Sequence, residues 1–93
     1  MLSPSVARTL IDRLRQQGGH DRGREAGRLV AALTEREHDV ALAVGRGLSN
    51  AEIAAELHLS VTTVKGYVTT LFEKLQVTNR TQIAIRVHDA SLG

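Results

Sequence analysis

The stretch Ser49–Leu75, SNAEIAAELHLSVTTVKGYVTTLFEKL, holds two helical patterns set close together. Ser49 and Glu52 have the spacing of a capping box, in which the serine oxygen accepts from the backbone N–H three residues on and the glutamate reaches back. A short helix through Leu57 follows, with Ile53, Ala54 and Leu57 turned inward. After His58 and Leu59, Ser60 caps a longer helix that runs to about Leu75. A short helix, a tight turn and a longer helix make a helix-turn-helix unit. Ala54 and Ala55 are small where the two helices would cross.

The longer helix is unusual in composition. At about 100° per residue, Val64, Val68, Leu71, Phe72 and Leu75 share one arc and predict a core-facing side. Opposite them lie Thr62, Gly66, Thr69, Thr70 and Glu73, with Lys65 at one border and Tyr67 and Lys74 toward the other. A solvated face is normally filled with better helix formers. A mid-helix glycine costs about 1 kcal/mol relative to alanine, and each outward threonine several tenths. Between Thr62 and Phe72 there is one lysine and no carboxylate. Short side chains let a backbone enter a groove, and threonine and lysine can meet phosphates and base edges. On these residues alone, such a face is equally explained by surface threonines that the fold tolerates.

Working outward, Thr34 and Glu37 form another capping box. It opens a helix to about Arg46, with Val40, Ala41 and Val44 on one face and Gly47 as its stop. Asn79 with Gln82 caps a last helix carrying Ile83, Ile85 and Val87. No strand pattern competes, so the fold class is all-α, a four-helix domain over residues 29–93. Before it, Ser3-Pro4 starts a helix over 4–16 with Val6, Leu10, Ile11 and Leu14 at helical spacing. Residues 17–28, QGGHDRGREAGR, are expected to be a flexible linker. The expected division is therefore 1–28, linker helix and flexible linker, and 29–93, helix-turn-helix domain.

Ninety-three residues suffice for one small domain. Phe72 and Tyr67 are the only aromatics, so the core must be aliphatic. There is no cysteine, which removes disulfides and thiolate metal sites and fits a reducing compartment. No apolar run approaches the roughly 20 residues that span a bilayer, and a cytoplasmic protein without a membrane partner is expected. The net charge of +2 permits a nucleic-acid partner without demanding one. His20, His38, His58 and His88 are scattered and include no ligand pair at i, i+4. Glu35, Glu37 and Asp39 start a helix, where the dipole favours them. Gly45-Arg46-Gly47 closes a helix and so does not form a phosphate loop. No catalytic residue, metal site or cofactor is expected.

From Leu33 to Ile85 the chain resembles the LuxR-type helix-turn-helix of the NarL/FixJ response regulators and quorum-sensing regulators. The matching blocks are Leu33-Thr34-x-Arg36-Glu37, Gly47-Leu48-Ser49-Asn50-x-Glu52-Ile53-Ala54, Thr63-Val64-Lys65, Lys74-Leu75 and Asn79-Arg80-Thr81. The resemblance implies that the third of the four helices enters the major groove of double-stranded DNA and that the last helix forms a homodimer contact. By position it places Lys65, Gly66 and Thr69 toward bases, and Thr70, beside them on the outward face, is expected there too. Thr62, Thr63, Tyr67, Asn50 and Arg80 fall near phosphates, joined by Ser49 at the capped start of the short helix. Ile83, Arg86, Val87 and Ala90 are expected at the dimer contact, with Ile83 and Val87 also spaced for burial within the domain. The N-terminal segment resembles the connector from a receiver domain. The chain is accordingly expected to be the effector part of a longer response regulator, whose receiver and cognate histidine kinase would be further partners.

Three positions depart from the family pattern: Tyr67 replaces a more usual histidine, Gln76 stands where glycine usually closes the helix, and Glu73 points outward. Two alternatives compete. A promoter-reading sigma-factor domain shares the pattern through Lys65 but usually ends soon after the recognition helix. A protein-interaction module would instead need an exposed apolar patch on the helix 61–75.

Overall fold

The computed structural model describes residues 22–92, and among these it contains five helices and no strand. They are α1 (residues 22–31), α2 (Glu35–Gly45), α3 (Asn50–Leu57), α4 (Val61–Lys74) and α5 (Arg80–Leu92). The helix expected over 4–16 lies outside the described residues.

Each of the four expected helices starts where its cap requires. Thr34 Oγ1 accepts from the Glu37 backbone N–H at 3.3 Å, and Glu37 Oε1 accepts from that of Thr34 at 2.8 Å. The Ser49–Glu52 box is equally complete, at 3.1 and 2.9 Å. Ser60 Oγ accepts from the Thr63 N–H at 3.0 Å. Before α5, Asn79 Oδ1 accepts from the Gln82 N–H at 2.9 Å, while Gln82 Oε1 reaches one residue further back to the Thr78 N–H at 2.8 Å.

Three helices end in the same way, with a left-handed residue and a six-to-one hydrogen bond that satisfies a terminal carbonyl. After α2 the left-handed residue is Gly47 (φ 83°), and the Leu48 N–H donates to Ala43 O at 3.2 Å. After α3 it is His58 (φ 58°), with Leu59 N–H donating to Ala54 O at 2.9 Å. After α4 it is Gln76 (φ 57°), with Val77 N–H donating to Phe72 O at 3.0 Å. Gln76 therefore closes the turn just as glycine would, and carries the strain of a side chain at positive φ.

The core is aliphatic, as the composition requires. Val40, Ile53, Val64, Leu71, Leu75 and Ile83 are fully enclosed, each worth about 1.5–3 kcal/mol of apolar burial. α2 packs against both α4 and α5, and α3 lies across α4. Ala54 is buried at the α3–α4 crossing, but Ala55 is exposed, so only one of the two expected small residues lets the helices approach. α2 also passes close to α5 at Gly45, where an added Cβ would sit 3.4 Å from Val87 Cγ1.

The principal difference from expectation is α1. It covers residues 22–31, so part of the stretch read as a linker is helical. Gly23, Ala26 and Leu29 are buried at every third position, and Leu29 joins the core with Val30 and Leu33 packed beside it. Local propensity favours a linker here, since each helical glycine costs about 1 kcal/mol. Burial along Gly23, Ala26 and Leu29 overrides it.

Candidate nucleic-acid interface

α4 turns one side into the core and leaves the other open. Thr62, Thr63, Lys65, Gly66 and Thr69 are exposed, while Tyr67 and Thr70 are half-buried at its edges. Tyr67 packs on the core cluster, as a residue at the border of the apolar arc should. An added Cβ at Gly66 would meet no other heavy atom within 4 Å, so nothing inside the fold requires glycine there. Three of the four threonine hydroxyls are engaged along the helix. Thr69 Oγ1 donates to Lys65 O and Thr70 Oγ1 to Gly66 O, each at 3.1 Å, and Ser60 Oγ donates to Thr63 Oγ1 at 2.8 Å. Lys65 is the one cation on this open side of α4; Lys74 is drawn away to Glu37, 2.7 Å distant. Glu73 is exposed near the end of the helix, as expected.

A second group of predicted residues meets at the start of α3. Arg80 Nη1 donates to Asn50 Oδ1 at 2.6 Å, and Nη2 donates to Leu48 O at 2.7 Å. The first residue of α5 is thereby tied to the first residue of α3. Both acceptors are neutral, and the guanidinium keeps three further N–H donors. With Asn50 Oδ1 taken up by Arg80, the Asn50 amide nitrogen is the half of that side chain left for another partner. At Ser49 the backbone N–H, like that of Glu52, is consumed by the expected capping box, and those of Asn50 and Ala51 remain for an anion. The Glu52 carboxyl is held below its usual value, first by the Ser49 backbone N–H and then by the Ser49 hydroxyl.

The residues expected at a dimer contact share one side of α5. Ile83 has no exposed surface, and Arg86, Val87 and Ala90 on the same side of α5 are half-buried. That arc faces the body of the domain, because Ile83 fills the core and Val87 packs on α2 at Gly45. The outward side of α5 is Thr81, Ile85 and His88, with Ile85 51% exposed. Leu42 of α2, 42% exposed, lies beside Ala84, Val87 and His88 along a shallow groove.

Sequence reasoning missed the Leu48 carbonyl that seats Arg80 and the Lys74–Glu37 pair. Both join positions more than 30 residues apart, and no local pattern signals them. Among the described residues no group of three His, Cys, Asp or Glu could hold a metal ion, and no helix is long and apolar enough to cross a membrane.

Residues 31–87 match the family described as "Bacterial regulatory proteins, luxR family". The chain belongs to this LuxR family. The matched region runs from the end of α1 into α5 and takes in the whole α3–α4 helix-turn-helix. Among similar proteins are the response regulator protein VraR of Staphylococcus saprophyticus and those of Staphylococcus aureus and Staphylococcus epidermidis, each 40% identical over 65 residues. That alignment covers 70% of this chain and 31% of each relative. The chain thus spans about a third of the length of the response regulators it matches. Membership also sets aside the sigma-factor alternative, since the match continues past α4 through Val87.

Proposed function

We propose that this chain is the sequence-specific, double-stranded DNA-reading part of a transcription regulator, with α4 lying in the major groove. The observation that carries the proposal is the open side of α4. Over Thr62–Thr70 it is free of carboxylates and short in side chain, and its only glycine is one the fold does not need. A helix pays such a cost in propensity without return unless something must approach its backbone. Lys65, Gly66 and Thr69 face base edges, with Thr70 at the margin. Thr62, Thr63 and Tyr67 border the phosphates on one side, and Asn50 with Arg80 does so on the other. This is a binding role, with no catalytic step and no cofactor.

Two copies would read two half-sites about one helical turn apart. The last helix supports pairing, with Ile85 exposed on its outward side and exposed Leu42 of α2 lying beside Val87. The relatives are response regulators, which supports a longer cytoplasmic protein whose receiver domain and histidine kinase control this part.

The test is selection of bound sequences from a random double-stranded pool at two salt concentrations. Enrichment of an inverted repeat, with affinity falling steeply as salt rises, is the expected result. Enrichment of one half-site keeps the docking and removes the dimer. Absence of enrichment by helical, folded protein refutes DNA reading and favours the protein-interaction alternative.

A further inference from the structure

Thr69 sits at the middle of the open side of α4, one turn beyond Lys65 and three residues beyond Gly66. Its only hydroxyl hydrogen is donated inward to Lys65 O at 3.1 Å. A threonine held this way has two things left to present: oxygen lone pairs and the Cγ2 methyl. It cannot also donate to guanine O6 or N7, nor to thymine O4, without giving up its bond to the helix. In the major groove, hydrogen-bond donors occur at adenine N6 and cytosine N4, and a methyl group occurs at thymine C5. An A·T pair offers both a donor and a methyl along one edge, whereas a C·G pair offers the donor and no methyl. The missing side chain at Gly66 leaves the groove edge free to come up to this methyl. Thr70, bonded in the same manner to Gly66 O, is half-buried and so less available.

We infer that Thr69 is a specificity-determining residue that selects a thymine in each half-site through methyl–methyl contact, its hydroxyl being committed to the helix. The inference rests on the DNA-reading proposal above and goes beyond it by naming the base and the group that is read.

The experiment uses the duplex that the wild-type chain enriches from a random pool. Each thymine is replaced singly by deoxyuridine, which removes the C5 methyl and nothing else. At one thymine per half-site the wild-type dissociation constant should rise about fourfold, the equivalent of one buried methyl. Thr69→Ser should bind the thymine and uracil duplexes equally, and Thr69→Val, which keeps a methyl, should retain the discrimination. Replacing that T·A pair by 5-methylcytosine·G should cost less than replacing it by unmodified C·G. Helicity of both variants by circular dichroism confirms the fold. Indifference of the wild type to every uracil substitution overturns the inference while DNA reading stands, and so does undiminished discrimination by Thr69→Ser. Failure to enrich any duplex overturns both, and is told apart because no selected thymine exists to replace.

Discussion

Lys74 Nζ lies 2.7 Å from Glu37 Oε1, joining the last turn of α4 to the first turn of α2. The same carboxylate oxygen accepts the Thr34 backbone N–H at 2.8 Å, so one group both completes a helix cap and fixes the end of α4. Glu37 is only 7% exposed, which a lone carboxylate would not tolerate. Lys74, and after it the Thr34 N–H, hold its carboxyl below the usual value.

A carboxyl whose folded pKa is depressed contributes stability above its unfolded pKa, and that contribution is lost as pH falls through the folded value. Urea midpoints should therefore decline on acidification below the ordinary glutamate range of about 4.3. Glu37→Gln should make the acid limb shallower and cost about 1 kcal/mol at neutral pH, a modest figure because Lys74 is partly in water. The limb should not vanish, since Glu52 is depressed as well. An identical pH profile for the variant would show that the pair adds nothing.

Gln76 holds a left-handed conformation at φ 57° that glycine adopts without strain. Gln76→Gly should raise stability by about 1 kcal/mol, seen as a melting temperature higher by roughly 4–8 °C in a domain of this size. A lower melting temperature would mean that the glutamine side chain makes a compensating contact.

Gly66→Ala separates fold from function. The added methyl meets open space inside the molecule, so helix propensity should act alone and stabilise by about 1 kcal/mol. The same methyl should weaken binding to the selected duplex, because it stands between the helix and the groove. A variant both more stable and equally tight in binding would rule out close approach at this residue.

Asn50→Asp tests the anchor at the start of α3. An aspartate keeps an oxygen for Arg80 and adds opposite charge, so thermal stability should hold or rise slightly. Against a phosphate, the same charge should lower DNA affinity about tenfold or more, in the range of a lost charged hydrogen bond. Arg80→Ala should instead lose both stability and affinity. Unchanged DNA affinity in Asn50→Asp would remove this corner from the interface.

Ile85→Glu addresses pairing. Ile85 is half exposed, so its replacement should leave monomer stability within about 0.5 kcal/mol of wild type. Binding to a two-half-site duplex should fall while binding to one half-site persists, read by gel shift on both duplexes. Val87 would make a poorer probe, because it packs on Gly45 and its loss would unsettle the fold.

Helix starts were legible because caps are local chemistry. Thr34, Ser49, Ser60 and Asn79 each bond a backbone N–H three residues on, and that spacing is written in the sequence itself. The buried face of α4 was legible for the same kind of reason, since a 3.6-residue period places Val64, Val68, Leu71 and Leu75 on one side whatever they pack against. The open face of Lys65, Gly66 and Thr69 is the complement of that arc.

Only the folded chain decided the rest. α1 was hidden because its glycines argue locally for a linker, and only burial of Gly23, Ala26 and Leu29 outweighs them. How much of α5 stays open was decided by the fold, which encloses Ile83 and leaves Val87 half-buried although both are spaced for burial in the sequence. The bonds of Arg80 to Asn50 and of Lys74 to Glu37 span 30 and 37 residues. Periodicity and capping act over a few residues, so the sequence by itself determined the helices and the turn of the helix-turn-helix unit. Which side chains meet across those helices depends on how they cross, and that is set by the packing of the whole core.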